Sequence, residues 1–154
     1  MHDIGKFGVP DRILLKKGKL NRQEFDEIKS HVTIGHQTLI KARKKYPNNS
    51  FLNMGIEIAR WHHEKWDGTG YPDGLSGTQI PLSARVMAIA DVYDALRSKR
   101  PYKPAFTHEQ SVEIIRDGSG THFDPDIVTL FEKIEKKFAV IHNRQKNSQE
   151  EDSI

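Results

Sequence analysis

The 154 residues suit one domain with its own core, and no apolar run approaches the ~18 residues that a membrane span needs. Cysteine is absent, which excludes disulfides, a thiol nucleophile and thiolate metal sites, so any bound metal must use His, Asp or Glu. The net charge of +3 suits a phosphate-bearing ligand and a solvated basic surface equally. No signal peptide opens the chain, so a cytoplasmic location without membrane contact is expected. Net charge alone, without an interleaved aromatic platform, argues against nucleic acid as a partner.

Met1-His2-Asp3-Ile4-Gly5-Lys6 sets a His-Asp pair and a lysine at the start, and Gly5, Gly8 and Pro10 mark a helix end or loop. Taken alone, such a pair is usually two polar residues on a frayed terminus. After a connector over 11–20, Asn21 and Glu24 have capping-box spacing, and a helix is expected to about residue 44. Its buried stripe is Phe25, Ile28, Val32, Gly35 and Leu39, and His31 and His36 flank that stripe about equally. Periodicity does not choose between them. A loop at 46–50 leads to a second helix, expected over 51–64, with Leu52, Ile56, Ala59 and His63 on one face and His62 one step around. The stretch Trp61-His62-His63-Glu64-Lys65-Trp66-Asp67-Gly68-Thr69-Gly70-Tyr71-Pro72 then joins adjacent imidazoles to a glycine-shaped loop. On its own it reads more readily as a surface pair before a turn than as a metal site.

The next helix, expected over 82–96, is apolar all round between Val86 and Leu96, which predicts burial all round. It nevertheless carries Asp91 and Asp94, with no Lys or Arg among those positions. A buried carboxylate is costly without a partner, so these two are either paired with distant groups or functional, one of them as a metal ligand. Arg97 to Pro104 is a basic, proline-locked segment. Thr107 and Gln110 open a short helix, and Asp124-Pro125 starts the last one, with Ile127, Phe131, Ile134 and Phe138 as its core face. From about Asn143 the chain is polar, giving a domain over 1–142 and a disordered tail over 143–154. The fold class is all-α, a helical bundle. Together, His2-Asp3, a helical His, His62-His63 and Asp91 are scattered hard ligands of the kind from which helix bundles build di-metal sites. A hydroxide held between two such metals is a strong nucleophile, and the metals can clamp a phosphate.

These segments, in order, resemble the HD-GYP subgroup of HD-domain phosphohydrolases: His2-Asp3-Ile4-Gly5-Lys6, His31 with Gly35, His62-His63, Gly70-Tyr71-Pro72, Asp91 with Asp94, and Arg100-Pro101-Tyr102-Lys103. Gly120-Thr121-His122-Phe123-Asp124-Pro125 also fits. The resemblance runs from Met1 to about Phe138. It implies a helical, HD-domain-like bundle hydrolysing cyclic di-GMP to pGpG or GMP through a metal-activated hydroxide. The implied cofactors are two or three divalent metals, iron or manganese first, with zinc, magnesium and nickel as alternatives.

Carried across by resemblance, His2, Asp3, His31, His62, His63 and Asp91 are metal ligands, Asp3 bridging, and Asp94 supports them. Asp3 and Lys6 are the catalytic residues, and Lys6, Arg100 and Lys103 contact phosphate. Gly70, Tyr71 and Pro72 line the pocket and offer a docking surface for diguanylate cyclase (GGDEF) domains. In the family, helices precede the His-Asp motif and one supplies a further His. The resemblance therefore implies the C-terminal major part of such a domain, with impaired activity as it stands and a receiver or sensory domain in the full-length protein. The competing expectation is a catalytically inactive module that senses cyclic di-GMP or docks a cyclase.

Overall fold

The computed structural model describes residues 1–99 and 104–151, with side chains as far as Arg144. Six α-helices and two short 3-10 turns account for the regular structure, and there is no strand among the described residues. The chain divides into two compact units, Met1–Ala88 and Ile89–Ile154, where the sequence suggested one domain.

In the first unit a 3-10 turn, Ile4–Gly8, precedes α1 (Asp11–Leu14), α2 (Arg22–Lys45) and α3 (Ser50–Trp61). The capping box forms as expected: Asn21 Oδ1 accepts from the Glu24 amide at 2.9 Å, and Glu24 Oε2 accepts from the Asn21 amide at 2.8 Å. α2 packs on α3 through Leu39, Ile56 and Ala59, with Ile40 and Leu52 alongside. The buried face of α2 is His31, Val32, Gly35 and Leu39. Phe25, expected in that stripe, is instead 48% exposed. The stripe is turned toward His31 by the N-terminal 3-10 turn. A β-carbon on Gly5 would lie 1.9 Å from the His31 carbonyl oxygen and 2.5 Å from the Gly35 amide nitrogen, so backbone touches backbone there. This contact carries Asp3 to the side of α2 that bears His31. α3 ends at Trp61, three residues before the expected end, and His62 is its C-cap.

α4 (Leu82–Arg97) begins in the first unit and ends in the second. Its expected burial on all sides between Val86 and Leu96 does not hold: Val86 is 49% exposed. In the second unit Tyr93 packs edge-on against Phe131 and Phe138. Its hydroxyl meets His108 Nδ1 at 2.9 Å, and His108 Nε2 contacts Glu135. α5 (His108–Asp117) has the expected Thr107–Gln110 box. α6 (Pro125–Glu151) starts with Asp124 Oδ1 accepting from the Asp126 amide at 2.9 Å. On α6, Val128 and Phe131 are buried, whereas Ile134, expected in the core, is 43% exposed. The helix continues to Glu151, through the polar stretch expected as a tail.

Candidate metal centre

Four side chains of the first unit converge: one ligand atom from each of Asp3, His31, His62 and His63 lies within 4.8 Å of every other. They come from three places. Asp3 precedes the 3-10 turn, His31 is on α2, and His62-His63 sit on the turn that closes α3.

Two of the imidazoles are oriented by their own helices. His31 Nδ1 lies 2.7 Å from the Ile28 carbonyl, and His62 Nδ1 lies 2.8 Å from the Ile58 carbonyl. A carbonyl oxygen only accepts, so Nδ1 carries the proton and, in the neutral ring, Nε2 keeps its lone pair. Both Nε2 atoms are buried and have no hydrogen-bond partner. His31 Nε2 faces Asp3 Oδ1 at 3.5 Å, lone pair toward lone pair. Acceptors converging on one point, two of them oriented from behind by a carbonyl, is the arrangement expected of a cation site. The residues therefore fit a divalent metal, with nitrogen and oxygen donors suited to iron, manganese or zinc.

The electrostatics agree. Burial, reinforced by neighbouring imidazoles, pushes His62 down to about 4 and His63 down to about 3. Burial lowers His31 too, so all three imidazoles are neutral at ordinary pH and free to donate a lone pair. For Asp3, burial opposes ionisation, but hydrogen bonds from His2 and Lys6 outweigh it and hold the carboxyl well below the usual range. The carboxylate divides its work. Oδ2 takes Lys6 Nζ at 2.5 Å and His2 Nε2 at 3.2 Å, leaving Oδ1 toward His31.

The loop after the histidines forms the wall of the site. The Tyr71 ring stacks on His63 with centroids 4.9 Å apart, and its amide donates to the His63 carbonyl at 3.2 Å. Gly70 allows this fold-back, because a β-carbon there would sit 2.3 Å from the Lys65 nitrogen and 2.5 Å from Glu64 Cα. Glu64, which the sequence did not single out, holds the loop together. It is 2% exposed, and its Oε1 accepts from the Asp73 and Gly74 amides at 2.7 and 3.0 Å. The only signal for it was an acidic residue directly before a loop rich in unpaired amides. Burial raises its pKa, partly offset by those amides. Glu64→Ala removes the buried acceptor of the Asp73 and Gly74 amides and is expected to destabilise by about 2 kcal/mol, whereas Glu64→Gln keeps the acceptor and costs under about 1 kcal/mol. Urea midpoints of the two variants check this.

The remaining expected residues fall as follows. His2 lies beside the four, its ring 5.2 Å from that of His62, but it is not among them. His36, the other flank of α2, is half-buried with Nδ1 3.4 Å from the Ile56 carbonyl, away from the cluster. Asp91 and Asp94 belong to the second unit. Asp91 is half-buried and lines a cavity of about 240 Å³ with Val92, Ala95 and Leu96. Asp94 corrects an expectation: its side chain is 65% exposed rather than buried, because it stands at a cavity with Phe138, Ile141 and His142 rather than in packed core, and it lies 3.5 Å from His142. Arg100, Pro101, Tyr102 and Lys103 lie outside the described residues.

Comparison with known proteins agrees with this geometry. A family model described as HD domain matches residues 1–127. A cyclic di-GMP phosphodiesterase of Vibrio cholerae is 55% identical over 141 residues, covering 92% of this chain and 29% of the relative. A cyclic di-GMP phosphodiesterase of Thermotoga maritima is 44% identical over 147 residues, covering 96% and 39%. A 3'3'-cGAMP-specific phosphodiesterase of Vibrio cholerae is 45% identical over 130 residues, covering 84% and 24%. The chain thus spans between about a quarter and two-fifths of the length of these relatives. With its His-Asp pair, its histidine cluster and its Gly-Tyr-Pro loop in place, the chain belongs to the HD domain family, in its HD-GYP subgroup.

Proposed function

We propose that this chain is the hydrolytic domain of a metal-dependent phosphodiesterase acting on cyclic di-GMP in the cytoplasm. The observation that carries it is the convergence of Asp3, His31, His62 and His63, with the Nε2 atoms of His31 and His62 buried and unpaired. Two of the relatives above bear that substrate in their names and one bears 3'3'-cGAMP, so a cyclic dinucleotide is the substrate class. Asp3, His31, His62 and His63 would hold a divalent ion, and His2, whose ring lies beside that of His62, is proposed to belong to a second position. Such an ion supplies positive charge that activates water and offsets charge building on the phosphate.

The chain's own residues do the rest. Lys6, fixed on Asp3 Oδ2 and only half-buried, is close enough to the ligands to meet a phosphate oxygen with its remaining donors. Arg100 and Lys103 are proposed to hold the neighbouring phosphate. Tyr71 and Pro72 present an apolar wall above His63 that screens the reacting bond from bulk water. A cyclase-docking role for the Gly70-Tyr71-Pro72 loop, and control by a receiver domain, are extensions of the same proposal.

The test is cyclic di-GMP hydrolysis by the full-length protein, loaded with manganese or iron and followed by chromatography of pGpG and GMP. Metal-dependent release is expected; no release with metal bound overturns the reading. The pH response is also set. The histidines take up protons near pH 6.5 when unfolded but only well below that when folded, so the unfolded state binds more protons on acidification. The thermal midpoint of the metal-free protein should fall between pH 7 and pH 5. Metal occupancy should hold down to about pH 5 and be lost below it, as measured by elemental analysis after dialysis.

A further inference from the structure

We propose that Phe25, Asp26 and Lys29 form a platform that selects guanine in the cyclic dinucleotide, an inference that rests on the function proposed above. The starting point is Phe25, an aromatic residue near the start of α2 that is left 48% exposed. It is tied to the metal centre through rings. His63 stacks on Tyr71, and Tyr71 meets Phe25 edge-on with centroids 6.5 Å apart. A nucleotide whose phosphate sits at the histidine cluster therefore has an aromatic surface within reach of its base. Stacking on such a surface contributes about 1–3 kcal/mol per base and does not by itself tell one base from another.

Discrimination comes from the charged pair at the ring, whose ammonium lies over the Phe25 face and swings to the edge of a base that stacks there. Lys29 Nζ sits 4.6 Å from the Phe25 centroid and 5.6 Å from the Tyr71 centroid, and 3.0 Å from Asp26 Oδ1. Both charged groups reach solvent, with side chains 32% and 61% exposed. The platform thus offers a pure donor and a pure acceptor side by side. Guanine presents the complement on adjacent atoms, O6 as acceptor and N1–H as donor. Adenine presents the reverse, N6 as donor and N1 as acceptor, which would set donor against donor and acceptor against acceptor. One well-placed pair of this kind is enough to favour guanine by about ten-fold.

The experiment is equilibrium binding of cyclic di-GMP and cyclic di-AMP to the purified protein and to Phe25→Ala, Asp26→Asn, Lys29→Met and Lys29→Arg. The unaltered protein should bind cyclic di-GMP about ten-fold more tightly. Asp26→Asn and Lys29→Met should bring the ratio toward one, Lys29→Arg should keep it, and Phe25→Ala should weaken both ligands together. A ratio that survives Asp26→Asn and Lys29→Met overturns the platform, as does an unaltered protein that prefers neither ligand or binds neither. Hydrolysis measured in parallel separates the two readings. Selective binding that needs these residues but yields no cleavage defeats the hydrolytic function alone, and cleavage whose base preference ignores them defeats the platform alone.

Discussion

Asp3→Ala is expected to remove metal-dependent hydrolysis, by more than about a hundred-fold, while leaving the fold in place. Asp3 supplies the only carboxylate among the four converging residues, and its Oδ1 faces the lone pair of His31 Nε2. Loss of a residue that merely supports a ligand typically lowers affinity or activity 10–100-fold, and loss of the ligand itself exceeds that. The fold has little to lose. Asp3 is about one-third exposed, and its partner Lys6, at 44%, is readily hydrated once released. Elemental analysis should show reduced metal, and urea unfolding of the metal-free protein should change by less than about 1 kcal/mol. Full metal content with full activity would remove Asp3 from the centre. Lys6→Met is the contrasting variant: it should retain metal and lose turnover.

Gly5→Ala is expected to fail for the opposite reason, by separating the ligands rather than deleting one. Its new methyl would meet the His31 carbonyl oxygen, the His31 carbonyl carbon and the Gly35 amide, all of them backbone atoms that have no rotamer to change. The 3-10 turn must lift from α2, at a cost of about 3 kcal/mol. Asp3 moves with the turn, so metal affinity should fall together with the thermal midpoint. Gly8→Ala is the control. There the neighbours are the side-chain carbons of Ile34, which can shift, and a smaller loss in both measurements follows. Equal behaviour of the two variants would contradict the close-packed role of Gly5.

The contrast between these variants also explains how much of the centre was legible in the sequence. Local signals worked wherever the physics was local. Asn21 with Glu24 and Thr107 with Gln110 cap the helices their spacing announces. Residue periodicity could not separate His31 from His36, because the choice depends on a contact between segments thirty residues apart. Gly5 lies on the His31 side, which turns the buried stripe and leaves Phe25 in solvent. The same limit misjudged α4. Its apolar stretch from Val86 to Leu96 suggested cover on every side, but Val86 and the Asp94 side chain reach solvent. The helix end at Trp61 escaped periodicity too, since nothing in the spacing of Ile56, Ala59 and His63 marks where the hydrogen-bond ladder stops. What made the site readable was the ordered set of rare residue types, and the convergence of four of them in one unit accords with it.

The carbonyls behind His31 and His62 have a consequence beyond catalysis. They fix both rings before any cation arrives, so the first unit assembles a cage whose inner atoms repel one another. A cation that relieves this repulsion binds the folded chain and not the unfolded one, and its binding free energy is added to folding stability. Protein that lacks the ion opens more often and is cut more often by proteases, since cleavage follows the population of open chains. The amount of folded protein would then follow the supply of transition metal.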